Sequence, residues 1–221
     1  MPLKVKFKIA LAVLLALWLA LFLFEIHFFL GLIFSVVAVL YAEMINPRWN
    51  FFGRAVLDVK DQGAQSVAIT FDDGPSSWTL PILDILKKEN VKATFFLLGK
   101  NVERHPEIAK RIVEEGHTVG YHGYSHTKFH RKGLEFIRDD LDRCVEAFQA
   151  ANLKPQTLIR FPHGVKNIFA VKEIQRRGWT LCSWGKGVWD SKRPGVDIIV
   201  ERAKDLKSGD ILLLHDGDGV K

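Results

Sequence analysis

Residues 66–75 read SVAITFDDGP, a run of apolar and β-branched residues that stops at two adjacent carboxylates, Asp72 and Asp73, and then a Gly-Pro pair. Val67 to Phe71 has the composition of a buried strand. Adjacent carboxylates repel each other, and burying either without a partner costs several kcal/mol, so taken alone the pair reads as a solvated Asp-Gly turn. The rest of the chain repeats the strand signal at Ala93 to Leu98, His117 to Tyr121, Thr157 to Phe161, Trp179 to Trp184 and Ile211 to Leu214. Helical patterns lie between. Pro106 stands at a first-turn position, Ile108, Ile112 and Val113 share a face, and Gly116 follows as a cap. Leu134, Ile137, Leu141, Val145 and Phe148 form a longer stripe, and Val196, Ile199, Val200, Ala203 and Leu206 another. Strand alternating with helix predicts a parallel α/β sheet with crossover helices, either doubly wound or a barrel.

The unusual polar residues gather where these strands end. Asp72 and Asp73 follow the first, His122 and His126 the third, Arg160 the fourth, Asp190 comes after the fifth, and His215 and Asp216 close the sixth. In parallel α/β architectures the carboxyl ends of the strands form the rim on which active sites are built. His122 and His126 are four apart, but Gly123 and Ser125 between them predict a tight loop and no helix. Two imidazoles with the carboxylate of Asp73 and an open fourth position are the ligand set of a hydrolytic zinc site, and a cation there relieves the repulsion between Asp72 and Asp73.

The chain has 221 residues, 48% of them hydrophobic, with a formal charge of +6. That suffices for one sizeable core and excludes disorder. From Ile9 to Ala42 only Glu25 and His27 carry ionisable side chains, and Lys4, Lys6 and Lys8 stand just before. Residues 1–45 are therefore read as a membrane anchor, either one long span or two short ones hinged near Glu25 to Gly31; a cleaved signal peptide fits the length less well. Residues 46–65 read as a linker and 66–221 as the catalytic domain, which stops a few residues after the sixth strand. The lysines place the N-terminus in the cytoplasm at the inner membrane: one span puts the domain outside and two return it, with Arg48 and Arg54 leaning to the second. The basic balance suits membrane lipid or an acidic glycopolymer. Nucleic acid is excluded as a partner because Lys and Arg are spread along the chain and not gathered with aromatics. Cys144 and Cys182 read as buried free thiols, a disulfide staying open for an external domain.

From about Ser66 to Gly217 the sequence resembles a polysaccharide deacetylase of the NodB-homology type, carbohydrate esterase family 4. That family is marked by T-F-D-D-G-P, H-[S/T]-x-x-H, R-x-P-Y, D-x-x-D-W and L-x-L-H-D, which stand here as Thr70 to Pro75, His122 to His126, Arg160 to His163, Gly187 to Ser191 and Leu212 to Asp216. The resemblance implies a deformed (β/α) barrel and a metal-dependent hydrolase that removes N-acetyl groups from a carbohydrate polymer. It implies Asp73, His122 and His126 as ligands of a divalent metal, usually zinc. Asp72 is then the general base and His215 the acid that protonates the departing amine, with Arg160 paired to Asp72 and Asp190 to His215. A backbone N–H in the Arg160 to Gly164 loop serves the oxyanion. Pro162, His163, Gly164, Trp184, Trp189 and Leu213 are the expected substrate contacts.

Four positions depart from the family pattern. Gly123 replaces Ser or Thr and removes a hydroxyl able to tie down the metal loop; His163 replaces Tyr; Gly187 and Ser191 replace the first Asp and the Trp of the fourth motif. Two other readings stay open: a deacylase of a lipid-linked sugar at the membrane face, and a metal-stabilised glycan-binding module of weak activity. Intact Asp72 and His215 speak against the binder, which has no use for a proton-transfer pair.

Overall fold

The computed structural model describes residues 3–46, 48–60 and 66–217, the side chains of 3–11 excepted. The side chains of Lys4, Lys6 and Lys8, residues 47 and 61–65 of the expected linker and the last four residues lie outside them. The chain divides into two compact units, Met1–Ala42 and Glu43–Lys221.

Helix α1 runs unbroken over Leu3–Ile45. No proline interrupts it, and of the two alternatives the one with two short spans hinged near Glu25 to Gly31 is not what the helix shows. Two of its polar side chains close on their own backbone: His27 Nδ1 meets the Leu23 carbonyl at 2.6 Å, and Ser35 Oγ donates to the Gly31 carbonyl at 2.8 Å. Ala12–Ile45 is one helix long and apolar enough to cross a membrane, with mean hydropathy 2.4. At 1.5 Å per residue it measures about 50 Å, well beyond the roughly 30 Å of a hydrocarbon core.

The second unit is a seven-stranded, wholly parallel sheet: β1 (Ala68–Asp72), β2 (Thr94–Leu97), β3 (Thr118–Tyr121), β4 (Leu158–Ile159), β5 (Thr180–Leu181), β6 (Lys186–Gly187) and β7 (Ile211–His215), in the order β5-β4-β3-β2-β1-β7-β6. β5 and β6 sit at opposite ends of that order, yet four residues join them. Laid flat, seven strands separate their outer members by about 29 Å; the connecting backbone spans at most about 18 Å. The sheet therefore curls into a deformed barrel, open between its outer strands. The opening is lined by Ala55–Lys60, where Val56 bridges to Cys182 and Asp58 to Asp210. This stretch, read from sequence as linker, is part of the second unit, held by backbone pairing to residues far along the chain.

Helices α2 (Thr79–Lys88), α3 (Gly99–Arg104), α4 (Pro106–Glu114), α5 (Leu134–Ala150), α6 (Ile168–Arg176) and α7 (Val196–Ala203) fall between the strands. The α5 stripe is buried at Ile137, Leu141, Cys144 and Phe148, and Phe71, Phe95 and Leu97 meet it in the core. Helix α7 forms where its periodicity predicts, but none of its residues is buried. Both cysteines are buried and free.

Candidate active site

The curl brings the strand ends together at one mouth. β1 lies between β2 and β7, with Asp72 opposite His215 in the β1–β7 register. Just past β1 the backbone turns through a left-handed residue, Asp73 (φ 76°), and its carboxylate meets the loop after β3. Asp73 Oδ1 stands 3.2 Å from His122 Nε2 and 3.0 Å from His126 Nε2. One ligand atom from each of the three residues falls within 4.8 Å of the others. His122 directs its other nitrogen, Nδ1, at the Arg160 carbonyl at 2.8 Å. With the proton on Nδ1, the lone pair of Nε2 faces a carboxylate oxygen, which repels it unless a positive charge lies between. Asp73 Oδ1 is itself buried without a well-aligned hydrogen-bond donor. Two ligands about 2.0–2.1 Å from a tetrahedral zinc stand roughly 3.3 Å apart, so the separations fit a cation of that kind. Burial pushes the Asp73 carboxyl up, but the two imidazoles outweigh it and hold the group far below the usual carboxylate range. In His122 burial favours the neutral ring, and the Asp72 and Asp73 carboxylates more than reverse it.

Asp72, buried beside this trio, accepts a hydrogen bond from Arg160 Nη1 at 2.7 Å. Arg160 is 1% exposed. It also donates to Thr70 Oγ1 and the Ser183 carbonyl, each at 2.8 Å, and its guanidinium lies 4.3 Å from the centre of the Phe96 ring. Across the mouth, Asp190 grips His215 twice: Oδ1 is 3.0 Å from Nδ1, and Oδ2 accepts from the backbone N–H at 2.7 Å. Burial depresses the His215 imidazole, but Asp190, with the Asp72 and Asp73 charges, outweighs it and raises the group above its ordinary value.

These groups open into a cleft of about 600 Å³. His163, Gly164, Trp184, Trp189 and Leu213 line it as expected, while Pro162 and Arg160 support it from behind. Trp189 is 60% exposed, so it is wall and not core. His163 packs its ring against His126 at a tilt, centroids 4.4 Å apart; burial and the nearby His126 and Lys128 charges push its imidazole down to about 4.

Several contributors escape a reading of the motifs. Asp140 on α5 ties down the metal loop, accepting from the backbone N–H of Tyr124 at 2.8 Å and of Ser125 at 3.1 Å, and from Ser125 Oγ. The hydroxyl lost at Gly123 is thus replaced from another element. Gly123 itself sits at φ +79°, where a Cβ would come 2.9 Å from Asp140 Oδ1. The visible signal was an acidic residue set on a buried apolar stripe. Asn101 Nδ2 donates to the Asp73 carbonyl at 2.7 Å, and Arg193 lines the cleft. Of the described non-glycine residues with positive φ, Asn90, Asn152, Asp73, His126 and His163 are of types that tolerate it and Trp189 and Arg193 are not; all but the two Asn line this cleft. Backbone strain of this kind persists where the surroundings enforce it and clusters at functional sites.

Residues 59–182 match the family described as polysaccharide deacetylase. A peptidoglycan-N-acetylglucosamine deacetylase of Bacillus cereus is 37% identical over 155 residues, covering 68% of this chain and 72% of the relative. A chitooligosaccharide deacetylase of Bradyrhizobium is 36% identical over 160 residues, covering 70% and 72%. Among solved structures, the Bc1960 peptidoglycan N-acetylglucosamine deacetylase in complex with 4-naphthalen-1-yl-N-oxidanyl-benzamide superposes with a TM-score of 0.69 at 33% identity, covering 74% of this chain and 76% of that one.

Proposed function

This chain belongs to the polysaccharide deacetylase family of the NodB type, carbohydrate esterase family 4, and on that premise we propose that it hydrolyses N-acetyl groups from an N-acetylglucosamine-containing polymer. The observation that carries the reading is the meeting of Asp73, His122 and His126 at one point, in the same cleft as an Asp72–Arg160 pair and a His215–Asp190 pair. Asp73, His122 and His126 hold a divalent cation, zinc by donor type. When bound, such an ion acidifies water and polarises the acetamide carbonyl.

Asp72, kept oriented and charge-paired by Arg160, accepts a proton from the attacking water as its oxygen joins the carbonyl carbon. The developing oxyanion needs a backbone donor. In the loop after β4, Pro162 has no N–H, the Arg160 N–H is committed to Tyr121 and that of Gly164 to Phe161, and Phe161 is buried and does not line the cleft; the N–H of His163, a cleft-lining residue, is the donor proposed. His215, its Nδ1 engaged by Asp190, delivers a proton from Nε2 to the sugar nitrogen as the C–N bond breaks. Acetate and a free amine are the products. Helix α1 is the proposed membrane anchor.

The test is acetate release from N-acetylated glycans by the metal-replete full chain, with and without a chelator. Chelator-sensitive release is expected; no acetate from any N-acetylated glycan would overturn the reading.

A further inference from the structure

The cleft has a charged group that the chemistry above does not use. Its carboxylates are all committed: Asp72 to Arg160, Asp73 to the two imidazoles, Asp190 to His215. Arg193 also lines the cleft. Among the described residues its guanidinium joins no ion pair, and its backbone N–H is spent on the Asp190 carbonyl at 2.7 Å. Lys192, next to it, holds its ammonium 4.9 Å from the centre of the Trp189 ring and likewise pairs with no carboxylate among those residues. Among the described residues, positive charge without a paired carboxylate therefore stands beside an exposed indole at the cleft.

The backbone argues that this placement is specific. The turn Asp190–Lys192 is bracketed by Trp189 at φ 59° and Arg193 at φ 51°, both left-handed and neither a residue type suited to it. One turn thus places three groups: Asp190 against His215, Trp189 as an exposed apolar wall of the cleft, and Arg193 on the cleft lining.

We propose that Arg193, assisted by Lys192, binds an acidic substituent, a carboxylate or a phosphate, on the sugar flanking the N-acetylated residue that is hydrolysed. The proposal rests on the deacetylase reading and narrows its substrate to an acidic glycan. A planar guanidinium matches both anions with paired hydrogen bonds, and a pyranose ring beside it packs on the Trp189 face.

The test compares kcat/KM of the full chain, metal-replete, on three substrates: a neutral N-acetylglucosamine oligomer, an oligomer whose alternate sugars carry a lactyl-ether carboxylate, and an N-acetylglucosamine disaccharide whose reducing sugar is joined through diphosphate to a lipid. At low salt an acidic substrate is expected to win by about tenfold, the order of one charge-assisted contact. Which of the two wins separates carboxylate from phosphate. Arg193→Asn, which keeps a residue tolerant of the left-handed backbone, is expected to bring the ratio near one through KM on the acidic substrate; Arg193→Lys should retain part of it, and added salt should erode it. An unchanged ratio in Arg193→Asn, or an equal loss on neutral and acidic substrates, overturns the proposal and leaves the deacetylase reading standing. Acetate from none of the three removes both.

Discussion

Asp72 and His215 are register partners across the parallel β1–β7 ladder. The groups proposed to take and give the proton are therefore set by neighbouring strands, about 4.8 Å apart at the backbone, and not by mobile loops. Arg160 and Asp190 then orient the two side chains from either flank.

Replacing Asp72 with Asn keeps the shape and removes the proton acceptor. A fall in kcat of about 10²- to 10⁴-fold is expected, with bound metal retained because Asp73 and the imidazoles are untouched. Rate and metal content measured on the same preparation check this; metal loss in Asp72→Asn would reassign it as a ligand.

Asp190→Asn tests the acid. Asp190 raises the His215 imidazole against the effect of burial. A group acting as an acid works below its folded pKa and is lost as pH rises through it. Without that carboxylate only the Asp72 and Asp73 charges oppose burial, so the alkaline limb of the kcat/KM profile should move to lower pH. The pair's contribution to stability has the same sign, full below the ordinary histidine value and lost as pH rises through the elevated one.

Arg160→Met strands the buried Asp72 charge. The expected destabilisation is about 3–5 kcal/mol in denaturant unfolding. Adding Asp72→Asn to the same chain should recover part of that loss, because the uncompensated charge goes with it.

Asp216 predicts an unusual pH slope. Burial, then the Asp72 and Asp73 carboxylates, push its carboxyl up to about 7 against a hydrogen bond from Thr79. The native state then keeps a proton that the unfolded chain, at the ordinary value of 3.8, has lost. Stability of the chelator-treated protein should fall by about 4 kcal/mol as pH rises from about 4 to about 7. Asp216→Asn stays neutral and should flatten that slope.

The sheet was legible because its strands are apolar runs punctuated by polar rims, and the site because each motif sits at a strand end. What escaped was non-local. β6, Lys186–Gly187, has two residues of no strand character and exists only through its pairing with β7. Ala55 and Val56 looked like linker because their partners, near Cys182, lie over a hundred residues away. Asp140 hid in a helical stripe, its role defined by backbone donors on another loop. The α7 stripe had the right period, but period alone does not say what covers it: Val196 is 74% exposed.

The central claim is that Asp73, His122 and His126 together grip one divalent cation. Titrating the chelator-stripped full chain with zinc tests it most directly. One tightly bound equivalent per chain is predicted, weakened at least about 100-fold by Asp73→Asn or His126→Ala. Unaltered stoichiometry and affinity in those variants would contradict it.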